Sequence, residues 1–142
     1  MFENAVNLKE GYFSYYKSNF NFGYLPKSVE TLRVSFSNLT SLENISNLNN
    51  LINLDINNNN LTSLYDLKEL SKLETLNLNN NLLQNYFTYK DDSGNHTVNT
   101  CEFLATLPNL KKIYLAGNSD LTDFSGLINV GFKQSGTTFT KE

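Results

Sequence analysis

Apolar residues recur along this chain in two alternating rhythms. Leu54 and Ile56 are separated by one polar residue, the two-residue alternation of a strand with one buried face. Beyond Asn59 the apolar spacing becomes three, through Leu61, Leu64, Leu67, Leu70 and Leu73. Side chains three apart eclipse one another in a 3₁₀ helix or a run of tight turns. The pattern therefore predicts a short strand followed by a compact helical or turn-like return.

The unit repeats. Leu32, Leu54 and Leu76 fall on one step, as do Val34, Ile56 and Leu78, then Leu39, Leu61 and Leu83, then Leu42, Leu64 and Tyr86. A fourth copy resumes with Leu110, Ile113, Leu115 and Asn118, followed by Leu121, Phe124 and Leu127. A unit that cannot bury its own apolar face must stack on its neighbours, so periodicity of this kind implies a solenoid. About four coils are expected, with a parallel sheet on the concave side and the leucines inside.

Asparagine makes up about one residue in six, and part of that excess is positional. Asn59, Asn81 and Asn118 occupy the corner where each strand ends. There an amide can donate to and accept from the backbone of adjacent coils. Ser37 holds the same place in the first coil and offers a shorter reach.

The motif Leu51-x-x-Leu54-x-Ile56-x-x-Asn59-x-Leu61-x-x-Leu64 resembles the leucine-rich-repeat family. It resembles in particular its 22-residue class, to which internalin-type and phosphatase-regulator-type repeats belong. The resemblance covers residues 29 to about 130. It implies an α/β leucine-rich-repeat solenoid with 3₁₀, short helical or turn segments on the convex face. It also implies recognition of another protein on the concave face, without naming the partner.

Three regions depart from the period. Residues 1–28 read as an aromatic-rich N-terminal cap with Phe2, Tyr12, Phe13, Tyr15, Tyr16, Phe20, Phe22 and Tyr24; Tyr12, Phe13, Tyr16 and Phe20 are spaced for one helical face, although Gly11 breaks any longer helix. Leu25-Pro26 turns the chain into a strand around Val29 to Val34. Between the third and fourth coils about fifteen residues are inserted near 85–99, and alternating Phe87, Tyr89, His96 and Val98 around a turn-forming centre predict a protruding hairpin. Residues 131–142 form either a tail or a closing strand, or the chain is a piece of a longer solenoid. An open C-terminal end would expose leucines and a strand edge and invite self-association.

Composition narrows the function classes. Net charge is −3 and no basic run occurs, which argues against a nucleic-acid partner. No apolar stretch approaches the ~18–20 residues of a membrane span. The N-terminus lacks the apolar segment of a signal peptide. The single Cys101 fits a reducing compartment. A cytoplasmic location is expected, with the extracellular or cell surface as the alternative if the chain is part of a larger exported protein.

Reactive groups gather only around Asp91, Asp92, His96 and Cys101. Cys101 fills the position of Leu64 in the repeat and is expected in the core, and His96 on the hairpin. No enzyme, cofactor or metal follows from them. Asp91-Asp92-Ser93-Gly94-Asn95 lacks the alternating ligands of a calcium loop and reads as a turn. The Asn-x-Ser/Thr sequons at Asn38, Asn44, Asn60 and Asn95 include two that the repeat itself writes.

The strand positions between the buried leucines project onto the concave face. One column holds Arg33, Asp55, Asn77 and Tyr114. Others hold Ser35, Asn57, Asn79 and Ala116, then Phe36, Asn58, Asn80 and Gly117, with Thr31, Asn53, Thr75 and Lys112 at the entry edge. Candidate partner contacts are Arg33, Phe36, Asp55, Asn57, Asn77, Asn79, Lys112 and Tyr114. The competing expectation is a structural subunit, docked into a larger assembly through its ends and its aromatic N-terminal segment.

Overall fold

A computed structural model of the chain describes residues 5, 7–16 and 20–142. Phe2 lies outside them. Along the chain the strands are β1 (Glu10–Ser14), β2 (Thr31–Ser35), β3 (Asn53–Asp55), β4 (Thr75–Asn77), β5 (Tyr86–Asp91), β6 (Gly94–Asn99), β7 (Lys112–Tyr114), β8 (Lys133–Ser135) and β9 (Thr138–Thr140). Two short α-helices, α1 (Thr100–Ala105) and α2 (Ser125–Ile128), and 3₁₀ turns at Phe22–Tyr24, Ile45–Asn47 and Tyr65–Glu69 make the returns.

The main sheet runs β1-β2-β3-β4-β7-β9-β8, parallel from β1 to β7. Leu32, Leu54, Leu76 and Ile113 pair across neighbouring strands in one buried row. Val34, Ile56, Leu78 and Leu115 form the next buried row. In the returns Ile45, Leu67 and Leu104 fill the interior at the three-residue spacing, and each fully buried leucine contributes roughly 2 kcal/mol of burial. Cys101 is fully buried beside Leu104 and Leu107. Tyr86, by contrast, is exposed at the start of β5, so it does not occupy the Leu64 place that the step of 22 assigns it.

The asparagine ladder is built as the chemistry demands. Asn81 accepts from Leu61 N–H at 3.1 Å and donates to the carbonyls of Ile56 and Leu78, both at 3.1 Å. Asn118 repeats this one coil on, accepting from Leu83 N–H and donating to Leu78 and Leu115. Among the described residues no buried side-chain polar atom is left without a partner. Ser37 keeps a foothold: its hydroxyl donates to Ser35 C=O at 2.9 Å and accepts from Tyr16 N–H at 3.1 Å.

Among the described residues Tyr12, Phe13, Tyr16 and Phe20 do not share a helix. Tyr12 and Phe13 lie in β1, which adds a fifth parallel strand with Glu10 beside Thr31 and Tyr12 beside Arg33. Two-residue alternation wins because Gly11 takes the inward place opposite Leu32, while Tyr12 faces out. The next strand is Thr31–Ser35, not the earlier segment from Val29. Phe22, Leu25 and Val29 are buried and fill the first return.

The C-terminal residues form a hairpin, so the described end is not an open leucine coil. β9 runs antiparallel to β7, Phe139 pairs with Ile113 and is fully buried, and Phe124 packs on Phe139 with ring centroids 5.0 Å apart.

The insertion is a two-stranded hairpin of β5 and β6, pinned to the solenoid rather than projecting freely. Tyr89 stacks on Tyr65 of the preceding return with ring centroids 3.8 Å apart, and His96 stacks on the other face of Tyr89 at 4.8 Å. Asn85 and Asn99 fasten its base. Asn85 accepts from Thr122 N–H and Asp123 N–H, both at 2.8 Å. Asn99 caps α1 by accepting from Cys101 N–H and Glu102 N–H.

Candidate protein-binding surface

The strand register draws one column across the concave face. Tyr12, Arg33, Asp55, Asn77 and Tyr114 are successive Cα partners. At ~4.8 Å per strand the two tyrosines stand roughly 19 Å apart. Between them lies a shallow depression of about 360 Å³, lined by these residues together with Thr31, Asn53 and Thr75.

The centre of the column carries charge. Arg33 Nε lies 3.5 Å from Asp55 Oδ2 and also donates to Ser35 Oγ at 3.3 Å. Both groups remain partly in water, where such a pair contributes about 0–1 kcal/mol. A partner can therefore re-pair either charge at small cost. At one end Lys112 Nζ sits 5.1 Å from the centre of the Tyr114 ring. At the other the Tyr12 hydroxyl donates to Glu10 Oε2 at 2.8 Å, and this bond holds the phenol above its ordinary pKa.

Not every candidate contact is on offer. Asn57 is 6% exposed and its backbone N–H donates to Asp55 Oδ1, so it braces the column from beneath. Asn79 accepts from Ala116 N–H at 2.7 Å, and Asn77 accepts from Asn79 N–H at 3.1 Å. These amides hold the strand ends in register while presenting their remaining edges to solvent. Arg33, Asp55, Asn77, Lys112 and Tyr114 are the candidates that the register brings to one surface.

Phe36 belongs to a neighbouring feature. Tyr15, Phe36, Asn58, Asn80 and Gly117 all have positive φ, between 52° and 72°. The corner after each strand is left-handed, which suits Asn and Gly and strains an aromatic residue. Tyr15 and Phe36 adopt it nonetheless, stacked at 5.1 Å and 69% and 43% exposed. Neither Tyr12 nor Tyr15 was among the sequence candidates. Stepping the Arg33 and Phe36 columns back by one 21-residue coil would have reached both.

The reactive residues separate. Cys101 is in the core, where burial pushes its thiol up to about 12. His96 is on the hairpin, and its Nε2 meets both Asp91 Oδ1 at 2.9 Å and Ser93 Oγ at 2.8 Å. A serine–histidine–aspartate relay uses the two ring nitrogens for two different partners. Here one nitrogen serves both, and the three residues lock a turn.

With this geometry in place, the chain can be set beside known proteins. An internalin, InlF, from Listeria monocytogenes superimposes with a TM-score of 0.70 and 22% identity, over 90% of this chain and 34% of that one. Internalin C2 (InlC2) from the same organism gives a TM-score of 0.58 and 27% identity, over 92% of this chain and 61% of that one. The fold is that of a leucine-rich repeat. This leucine-rich-repeat chain spans about a third of the first structure and three fifths of the second. No protein-family model and no curated protein matches it. Fold of this kind suggests protein–protein interaction in general. Among the described residues no helix is long and apolar enough to cross a membrane.

Proposed function

We propose that this leucine-rich-repeat chain is a non-catalytic recognition module that holds another protein on its concave face. The observation that carries the reading is the column Tyr12–Arg33–Asp55–Asn77–Tyr114 around a single depression. Tyrosine and arginine are the residue types that concentrate binding energy at protein interfaces. Here they stand on rigid strands, so little ordering entropy is lost when they are engaged. Phe36, Asn57, Asn79 and Lys112 extend or brace the same surface.

In this reading the described part of residues 1–28 adds β1 as a further strand before the repeats at 29–130, and residues 131–142 shield their other end. Cys101, buried and protonated, is compatible with a cytoplasmic location and makes no demand for an oxidising one.

The test is affinity capture with the purified chain as bait, followed by mass spectrometry and titration of the captured protein. Arg33→Glu and Tyr114→Ala should each weaken binding at least tenfold while circular dichroism and melting temperature stay near those of the parent. Unchanged binding by both variants would sink the concave reading and favour a subunit docked through its ends.

A further inference from the structure

The two edges of the main sheet are guarded very differently. At one edge β8 is three residues long, Lys133-Gln134-Ser135, all exposed and opening with a lysine. A short, charged strand of this kind resists edge pairing. At the other edge β1 is five residues, Glu10-Gly11-Tyr12-Phe13-Ser14. It contains no lysine, arginine or proline, and its register with β2 runs unbroken, without a bulge. None of the described residues pairs with its outer side.

The backbone directions of β1 are fixed by its bonds to β2. Lys9 C=O accepts from Thr31 N–H, and Tyr15 N–H donates to Ser35 C=O. In a parallel pair alternate residues face the partner strand. Gly11 and Phe13 therefore spend their backbone groups on β2, and Glu10, Tyr12 and Ser14 turn theirs outward.

We propose that β1 is a homodimerisation edge, pairing antiparallel with β1 of a second copy about a two-fold axis through Tyr12. This register is self-complementary. Tyr12 meets its own counterpart as a hydrogen-bonded pair, and Glu10 meets Ser14 on both sides. All three pairs use the outward-facing backbone groups. The like charges of the two Glu10 carboxylates are kept apart, with a hydroxyl opposite each. The two Tyr12 side chains, 63% exposed in the single chain, come together on the concave face as a cross-strand aromatic pair. On the other face Gly11, which has no side chain to pack, lies opposite Phe13 of the other chain.

The guarded β8 edge gives the association its closure. Pairing one edge type with itself makes an isologous dimer, whereas two open edges would propagate a fibre. The joined sheets present two copies of the concave column side by side, a bivalent surface.

Sedimentation equilibrium and light scattering of the full chain from micromolar to millimolar concentration test this. A monomer–dimer equilibrium without higher species is expected. Tyr12→Lys and Tyr12→Glu should each abolish the dimer by placing like charges across the axis, and an equimolar mixture of the two should restore it. Ser14→Pro, which removes an outward N–H and the Ser14–Ser35 hydroxyl bond but no backbone bond to β2, should also leave a folded monomer by circular dichroism, while Ser14→Ala, which loses the same hydroxyl bond and keeps the N–H, should still dimerise. A parent that stays monomeric throughout overturns the proposal. So does a dimer that survives Tyr12→Lys, or two singly charged variants that fail to associate when mixed.

Discussion

Asn59 Oδ1 lies 3.0 Å from the backbone nitrogen of Ser37, one coil upstream, and accepts its hydrogen. The same oxygen accepts from Leu39 N–H at 3.1 Å, while Nδ2 donates to Val34 C=O at 2.8 Å and Ile56 C=O at 3.0 Å. One amide thus satisfies buried backbone groups of two coils that no strand bond reaches. Asn59→Ala should cost roughly 3 kcal/mol, because several buried groups lose their partner together. Asn60→Ala, at the exposed neighbour, should change stability by less than ~0.5 kcal/mol. Urea unfolding of the two variants checks both.

Gly126 marks where α2 crosses α1. A Cβ there would sit 2.4 Å from Glu102 N and 2.7 Å from Cys101 C, both backbone atoms that cannot swing aside. Gly126→Ala should destabilise by about 2–3 kcal/mol as the helices are forced apart. Thermal unfolding gives the measure.

The acid limb of stability should report Asp91. Hydrogen bonds from the Ser93 hydroxyl and backbone N–H, followed by that of His96, lower its pKa to about 2. A folded-state value below the unfolded one adds stability above pH ~4, lost as pH falls toward 2. Asp123, lowered by Ser125, acts in the same sense. Asp91→Asn should flatten this pH dependence, and it should do so most clearly in amide-exchange protection of the hairpin.

Tyr65 should anchor the insertion. Its ring carries Tyr89 on one side and Lys68 at 4.1 Å, and its hydroxyl donates to Asp91 at 3.4 Å. Tyr65→Ala should release the hairpin, raising amide exchange across residues 86–98 by roughly tenfold, about the worth of one aromatic stack. The melting temperature should fall by only a few degrees.

Much of this was legible in the sequence because a stacked coil converts sequence period directly into contact. Leu32, Leu54 and Leu76 had to pair, and Asn59, Asn81 and Asn118 had to face the interior backbone. The first coil was hidden because Gly11 and Phe13 stand where leucine and valine stand elsewhere. Tyr12, Phe13, Tyr16 and Phe20 meanwhile mimic a helical stripe. The hairpin was visible as alternation around a turn. Its docking was not, since Tyr65 and Tyr89 lie in different coils and no local pattern couples them. The concave column followed from the period, but its Tyr12 end needed a step of 21 residues rather than 22, the register that β1 takes beside β2.

The central claim is that a partner sits on the concave column. Hydrogen exchange of the chain, free and bound to its captured partner, tests this most directly. New protection is expected on amides of β2, β3, β4 and β7, centred on Arg33, Asp55, Asn77 and Tyr114, with the β5–β6 hairpin unchanged. Protection confined to residues 86–99, or to the C-terminal hairpin, with the four concave strands unaltered, would contradict it.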